Sequence, residues 1–117
     1  MELSRVEIIM SDLKLEPLTK ALGKFGITGM TVTDVRGCGI QNGTQEYEAE
    51  LRKEPVLLNK EMIMLVMPAE EVDPFLKYVM EELYTGHIGD GKIFVSDVSN
   101  AVRVRTGDEG FDAVKKS

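Results

Sequence analysis

The chain of 117 residues has one cysteine, Cys38, one histidine, His87, and no tryptophan. A single thiol cannot close an internal disulfide, so a packed core must hold the fold, and a reducing compartment, the cytoplasm, is expected. One histidine with no second histidine or cysteine beside it in sequence makes a poor metal site, and without an orienting partner a poor general base. Positive charge is also short. Fourteen Lys and Arg against twenty Asp and Glu leave a net charge of −6, which argues against non-specific binding to nucleic acid or to an anionic membrane. No apolar run approaches the length of a bilayer span, and Met1-Glu2-Leu3-Ser4 lacks the basic and apolar regions of a signal peptide. What remains is a globular composition, 43% hydrophobic and 29% charged, of a length that allows one domain, 1–117.

Within that length the hydrophobic pattern changes period several times. Arg5 to Met10 is β-branched and nearly apolar, a strand. Leu15, Leu18, Leu22 and Phe25 recur at helical spacing, with Pro17 in the first turn and Gly26 as the stop. Gly29 to Val35 reads as a second strand. From Gly37 to about Asn59 the pattern dissolves into glycines and a charge-dense run, Glu46 to Glu54. A loop of about twenty residues is long for so small a domain, and loops of that length are usually functional. Glu61 to Met67 is a strand apolar on both faces, and Val72, Phe75, Leu76, Val79, Met80 and Leu83 form a helical stripe. Ile93 to Ser96 is a fourth strand. Ala101 to Arg105 reads as a short extended piece, before a Thr106-Gly107-Asp108 turn and a polar tail. The order is that of an α+β, ferredoxin-like βαββαβ sandwich, with two helices on one face of a four-stranded antiparallel sheet. The helices can cover only one face. Met62, Met64 and Val66 point opposite to Ile63, Leu65 and Met67, so burying both sets takes a partner, and a homo-oligomer built through the open face is expected.

The chemistry concentrates in Thr85-Gly86-His87-Ile88-Gly89-Asp90-Gly91-Lys92. Three glycines in six residues ahead of a lysine can aim backbone N–H groups at an anion. The spacing fits a Walker A loop, but Ile93 replaces the hydroxyl that would hold Mg²⁺, and helix-loop-strand is the reverse of a P-loop. Arg103 and Arg105, two apart in a segment read as extended, would leave one face and with Lys92 bring three cations to one ligand. Nothing assembles a nucleophile, base and oxyanion site. A ligand site is read here, not an enzyme.

Four stretches together, Gly29-Met30-Thr31-Val32, Gly37-Cys38-Gly39-Ile40-Gln41, the glycine loop continued to Ser96, and Val102 to Gly107, closely resemble the PII signal-transduction proteins, over about residues 4–109. The resemblance implies a homotrimer that binds adenine nucleotides (ATP, ADP or AMP) in the clefts between neighbours. It implies three functional loops: the T-loop, about 37–59, which docks on a target transporter or metabolic enzyme; the B-loop, 85–92, around the phosphates; and a C-terminal loop, about 101–109. By that resemblance Thr31 lies near the adenine, and Gly37, Gly39, Gly89, Asp90, Gly91 and Lys92 line the nucleotide. Arg103 and Arg105 come from the adjacent subunit. Gln41 stands near Mg²⁺ and 2-oxoglutarate, and Lys60 pairs with a carboxylate of the latter. The role implied is regulatory, in nitrogen control, with no membrane insertion and no nucleic acid.

Where the family commonly has an aromatic residue this chain has Cys38, and where it has an arginine that reaches the terminal phosphate of ATP this chain has Ile40. Isoleucine cannot replace a guanidinium, so a weakened preference for ATP is expected. Lys53 stands where the enterobacterial type has its modified tyrosine, so uridylylation is not expected. These departures keep open a divergent PII-like sensor of ADP, AMP or a carbon signal with a client outside nitrogen metabolism. Slow ATP hydrolysis in the cleft would lack an evident base beyond Asp90 or glutamates. A metal-binding trimer like the CutA proteins would need neither the glycine loop nor the paired arginines.

Overall fold

A computed structural model describes residues 2–11, 15–39, 56–84, 86 and 91–115. Strand β1 (Leu3–Met10) leads to helix α1 (Leu15–Phe25), then to strands β2 (Thr31–Gly39) and β3 (Val56–Pro68). A 3₁₀ turn (Ala69–Glu71) opens helix α2 (Val72–Leu83), followed by β4 (Lys92–Val98) and a one-turn helix α3 (Phe111–Val114). The sheet order is β2-β3-β1-β4, antiparallel throughout. This is the ferredoxin-like arrangement expected from the alternation of periods.

The two faces of the sheet separate as the two-sided β3 pattern requires. Val6, Ile8 and Met10 of β1, with Ile63, Leu65 and Met67 of β3, are buried beneath Leu18 and Ala21 of α1 and Phe75, Val79 and Leu83 of α2. Phe75 is fully buried and meets the Phe25 ring edge-on at 5.6 Å, which locks the helices together. Met62, Met64 and Val66 are only half-buried on the opposite face. Helix α1 stops where glycine was expected to stop it. Gly26 takes φ +67°, and the Ile27 N–H donates back to the Leu22 carbonyl at 2.9 Å, a Schellman closure. Leu15, placed in the apolar stripe by its spacing, is half exposed at the start of the helix.

Three readings of the sequence differ from the structure. The pattern was expected to dissolve from Gly37 to about Asn59, but β2 runs to Gly39 and β3 begins at Val56, with Gly39 opposite Val56. This hairpin extends past the end of β1, where Met10 faces Glu61. No described helix covers that part, so no in-out alternation marks it. The segment 101–105 is not an extended strand either. Val102 makes an isolated bridge to Glu109, and a turn starts at Val104. The Gly107 N–H donates to the Arg103 carbonyl, with Gly107 at φ +76°, and the Arg103 N–H donates to the Asp108 carbonyl. The tail, read as merely polar, forms α3 and pairs Lys115 with Ile27.

Candidate functional site

Those candidate residues that the structure describes fall at two ends of the sheet. At one end β1 and β2 finish and β3 and β4 begin. Gly37 and Gly39 lie there on edge strand β2, Lys60 on β3, and Gly91 and Lys92 at the start of edge strand β4. Gly91 is forced by its surroundings. It takes φ +102°, and a Cβ would run into the Ile9 carbonyl oxygen and Met10. Only glycine lets the backbone at position 91 come this close to β1. Lys92 follows on the open face, paired with Ile9, and is exposed.

Gly37 serves a second close approach. A Cβ there would sit 2.7 Å from Lys60 Cδ and Cε, so the missing side chain makes room for the lysine stem. The Lys60 ammonium donates to Ser11 Oγ at 2.9 Å. The antiparallel register puts Met10 opposite Glu61, so Ser11 comes opposite Lys60. Ser11 was not picked from sequence, because only the strand register reveals it. A cleft of about 540 Å³ opens beside this pair, lined by Ser11, Asp34, Val35, Arg36, Asn59, Lys60 and Glu61.

Arg103 lies at the opposite end. Its guanidinium donates to the Ala113 and Lys115 carbonyls at 3.3 and 2.8 Å and stands 3.9 Å from Asp108. Thr106 Oγ1 donates in turn to Asp108 at 2.8 Å. These bonds anchor Arg103 beside Ile27, past the far end of β4. Arg105 is exposed in the same turn and has no side-chain hydrogen bond or ion pair among the described residues. The seven residues of β4 span about 20 Å at the rise of a strand. The expectation that both arginines leave one strand face is therefore not met, and neither reaches Lys92 along its own chain. Thr31 opens β2, opposite Met64, on the edge away from Lys92. Three strand spacings, about 14 Å, separate those edges.

Gln41, Gly89, Asp90, Ile40 and most of the long and glycine loops lie outside the described residues. Among the described residues no group of three His, Cys, Asp or Glu is placed to hold a metal ion, and Cys38 is exposed. No described helix is long and apolar enough to cross a membrane.

Comparison with known proteins agrees with the resemblance read from the motifs. The family described as Nitrogen regulatory protein P-II matches residues 3–108. A Nitrogen regulatory protein P-II of Pasteurella multocida is 42% identical over 112 residues, 96% of this chain and 100% of the relative. Nitrogen regulatory protein P-II 1 of Escherichia coli is 39% identical over the same shares. Among solved structures, Bacillus subtilis GlnK superposes with a TM-score of 0.78 at 34% identity, covering 97% of this chain and 99% of that one. GlnK in complex with ATP matches equally well, over 96% and 95% of the two chains. Arabidopsis thaliana PII bound to citrate gives 0.72 at 35% identity, over 96% and 92%. The motifs, a matching sheet and about 40% identity along the full length of proteins described as Nitrogen regulatory protein P-II lead to one conclusion: the chain belongs to the nitrogen regulatory protein P-II family.

Proposed function

We propose that this protein is a cytoplasmic homotrimeric sensor that binds adenine nucleotides in the clefts between its subunits and controls a nitrogen-linked transporter or enzyme through its long loop. One observation carries the reading. Lys92 and the arginine turn stand at opposite ends of one sheet, so a single polyphosphate can meet both only where two copies join. In that cleft Gly89, Asp90, Gly91 and Lys92 of one subunit cradle the phosphates, with Gly37 and Gly39 at the base of the long loop. Arg105 and Arg103 of the neighbour supply charge-assisted bonds, and Thr31 lies beside the adenine. The ATP complex of Bacillus subtilis GlnK supports the ligand class. The half-buried Met62, Met64 and Val66 support the assembly.

Lys60 and Gln41 are the proposed contacts for 2-oxoglutarate. The Lys60 ammonium, held by Ser11 over Gly37, is a suitable carboxylate partner, and the citrate complex of Arabidopsis PII shows that a relative accepts a carboxylate ligand. Mg²⁺ would sit on the nucleotide phosphates with Gln41. A regulator works only through contacts that differ between its states, and a ligand that touches the root of the long loop meets that condition. Ile40, which has no guanidinium to offer a terminal phosphate, favours the second reading, an ADP- or AMP-responsive member with another client.

A thermal-shift panel tests both readings, with ATP, ADP and AMP each offered with and without Mg²⁺ and 2-oxoglutarate. A nucleotide at a hundred times its dissociation constant should add about 2.7 kcal/mol. A further shift from 2-oxoglutarate with Mg-ATP supports nitrogen sensing. ADP equal to or above ATP, with no carboxylate effect, supports the divergent sensor. No shift with any nucleotide refutes the cleft. By calorimetry ADP should bind at least as tightly as ATP, and a clear preference for ATP would contradict the role given to Ile40.

A further inference from the structure

We infer that Arg5 and Glu7 form a ring of ion pairs between copies at the centre of the open sheet face, an inference that rests on the homotrimer reading above. The two residues are two apart on the central strand β1, so both side chains leave that face. Arg5 lies between Val66 and Ser96, and Glu7 between Met64 and Phe94. They make one bond to each other, from the Arg5 Nη2 to the Glu7 Oε2 at 3.1 Å, with side chains 44% and 27% exposed. Arg5 Nε is buried and has no acceptor among the described residues.

A guanidinium offers five N–H groups and a carboxylate about four lone-pair sites, so among the described residues most of the bonding capacity of this pair is unused. On a face left in water, hydration would use it. Around the pair this face carries apolar side chains, with Ile9, Met62, Met64 and Val66 half-buried and Phe94 half exposed. Ser96 beside Arg5, Lys92 beside Ile9, and Thr31 and Thr33 on the outer strand are its exposed polar members. An apolar partner would strip water from two charges that share a single bond, which is strongly unfavourable. A second copy of the same face is its own complement, because it brings one fork and one carboxylate. In a closed cyclic assembly every Glu7 then meets a neighbour's Arg5. A rotation of the Arg5 stem takes Nε from its orphaned position onto that carboxylate.

The test uses two full-length variants, Arg5→Glu and Glu7→Arg, and native mass spectrometry at micromolar concentration. The first chain presents two carboxylates on the face and the second two guanidiniums. Each should lose its homotrimer, whereas a refolded mixture should give trimers of 2:1 and 1:2 composition and none of a single chain. Should either variant fail to fold, Arg5→Gln keeps a polar stem without charge, and its trimers should exchange subunits at least tenfold faster than the wild type. A trimeric wild type whose variants stay trimeric, mix at random and exchange at the wild-type rate would overturn the ring alone. A monomeric wild type would overturn the homotrimer as well and leave the face to a different protein.

Discussion

Replacing Gly91 with alanine should cost about 3 kcal/mol of stability, roughly 10–20 °C in Tm for a domain near this size, and should abolish nucleotide binding. The cause is backbone against backbone. Gly91 holds φ +102°, where an L side chain is strained, and the new methyl would strike the Ile9 carbonyl and come within 3.0 Å of Met10 Cα. Those atoms belong to central strand β1, bonded on one side to β3 and on the other to β4, so they cannot give way. The chain can admit the methyl only by lifting the start of β4, and that moves Lys92 with it. Gly37→Ala makes a useful contrast. Its new Cβ would meet only the Lys60 stem at 2.7 Å, a flexible group that can swing aside, so stability should change little while Lys60 leaves Ser11. Gly23→Ala, inside α1 with open space around it, should stabilise by about 0.5–1 kcal/mol. Denaturation of the unliganded proteins should rank the three in that order.

Arg105→Ala should lower nucleotide affinity about ten- to hundred-fold, the equivalent of one charge-assisted contact of 1.5–3 kcal/mol. Unliganded stability should change by less than about 0.5 kcal/mol. The separation of the two effects follows from exposure, since Arg105 has no partner among the described residues. Arg103→Ala cannot give so clean a result. It strips the Ala113 and Lys115 carbonyls of their donor and removes the charge facing Asp108, so the C-terminal turn loosens whether or not a ligand binds. Calorimetric titration of nucleotide into each variant, beside thermal denaturation without ligand, distinguishes a binding arginine from a bracing one. Unchanged affinity in Arg105→Ala would remove that residue from the site.

The elements that face the core were legible in the sequence because burial writes a period into it. Val72, Phe75, Val79 and Leu83 mark α2, and the two-sided β3 run announced an open face before any partner was considered. The errors arose where nothing is buried. The outer β2–β3 hairpin lies beyond β1 and the described helices, so Val56 to Asn59 carry no alternation and read as loop. Val102-Arg103-Val104-Arg105 does alternate, yet its valines are exposed, and the Gly107 and Asp108 backbone draws the segment into a turn. The glycine loop and both arginines were visible as residue types. That Lys92 and the arginines stand at opposite ends of the sheet was not, because that depends on topology. Ser11 depends on register in the same way.

The measurement that most directly tests the account is complementation between Lys92→Ala and Arg105→Ala chains. Each variant alone spoils every cleft, one through the loop side and the other through the neighbour's side. In a mixed trimer, one junction joins an intact Lys92 to an intact Arg105. Co-refolded chains, verified as mixed trimers by native mass spectrometry, should therefore regain tight nucleotide binding at about one site per trimer. If mixed trimers form and tight binding does not return, the nucleotide is not held between subunits, and the central claim is wrong.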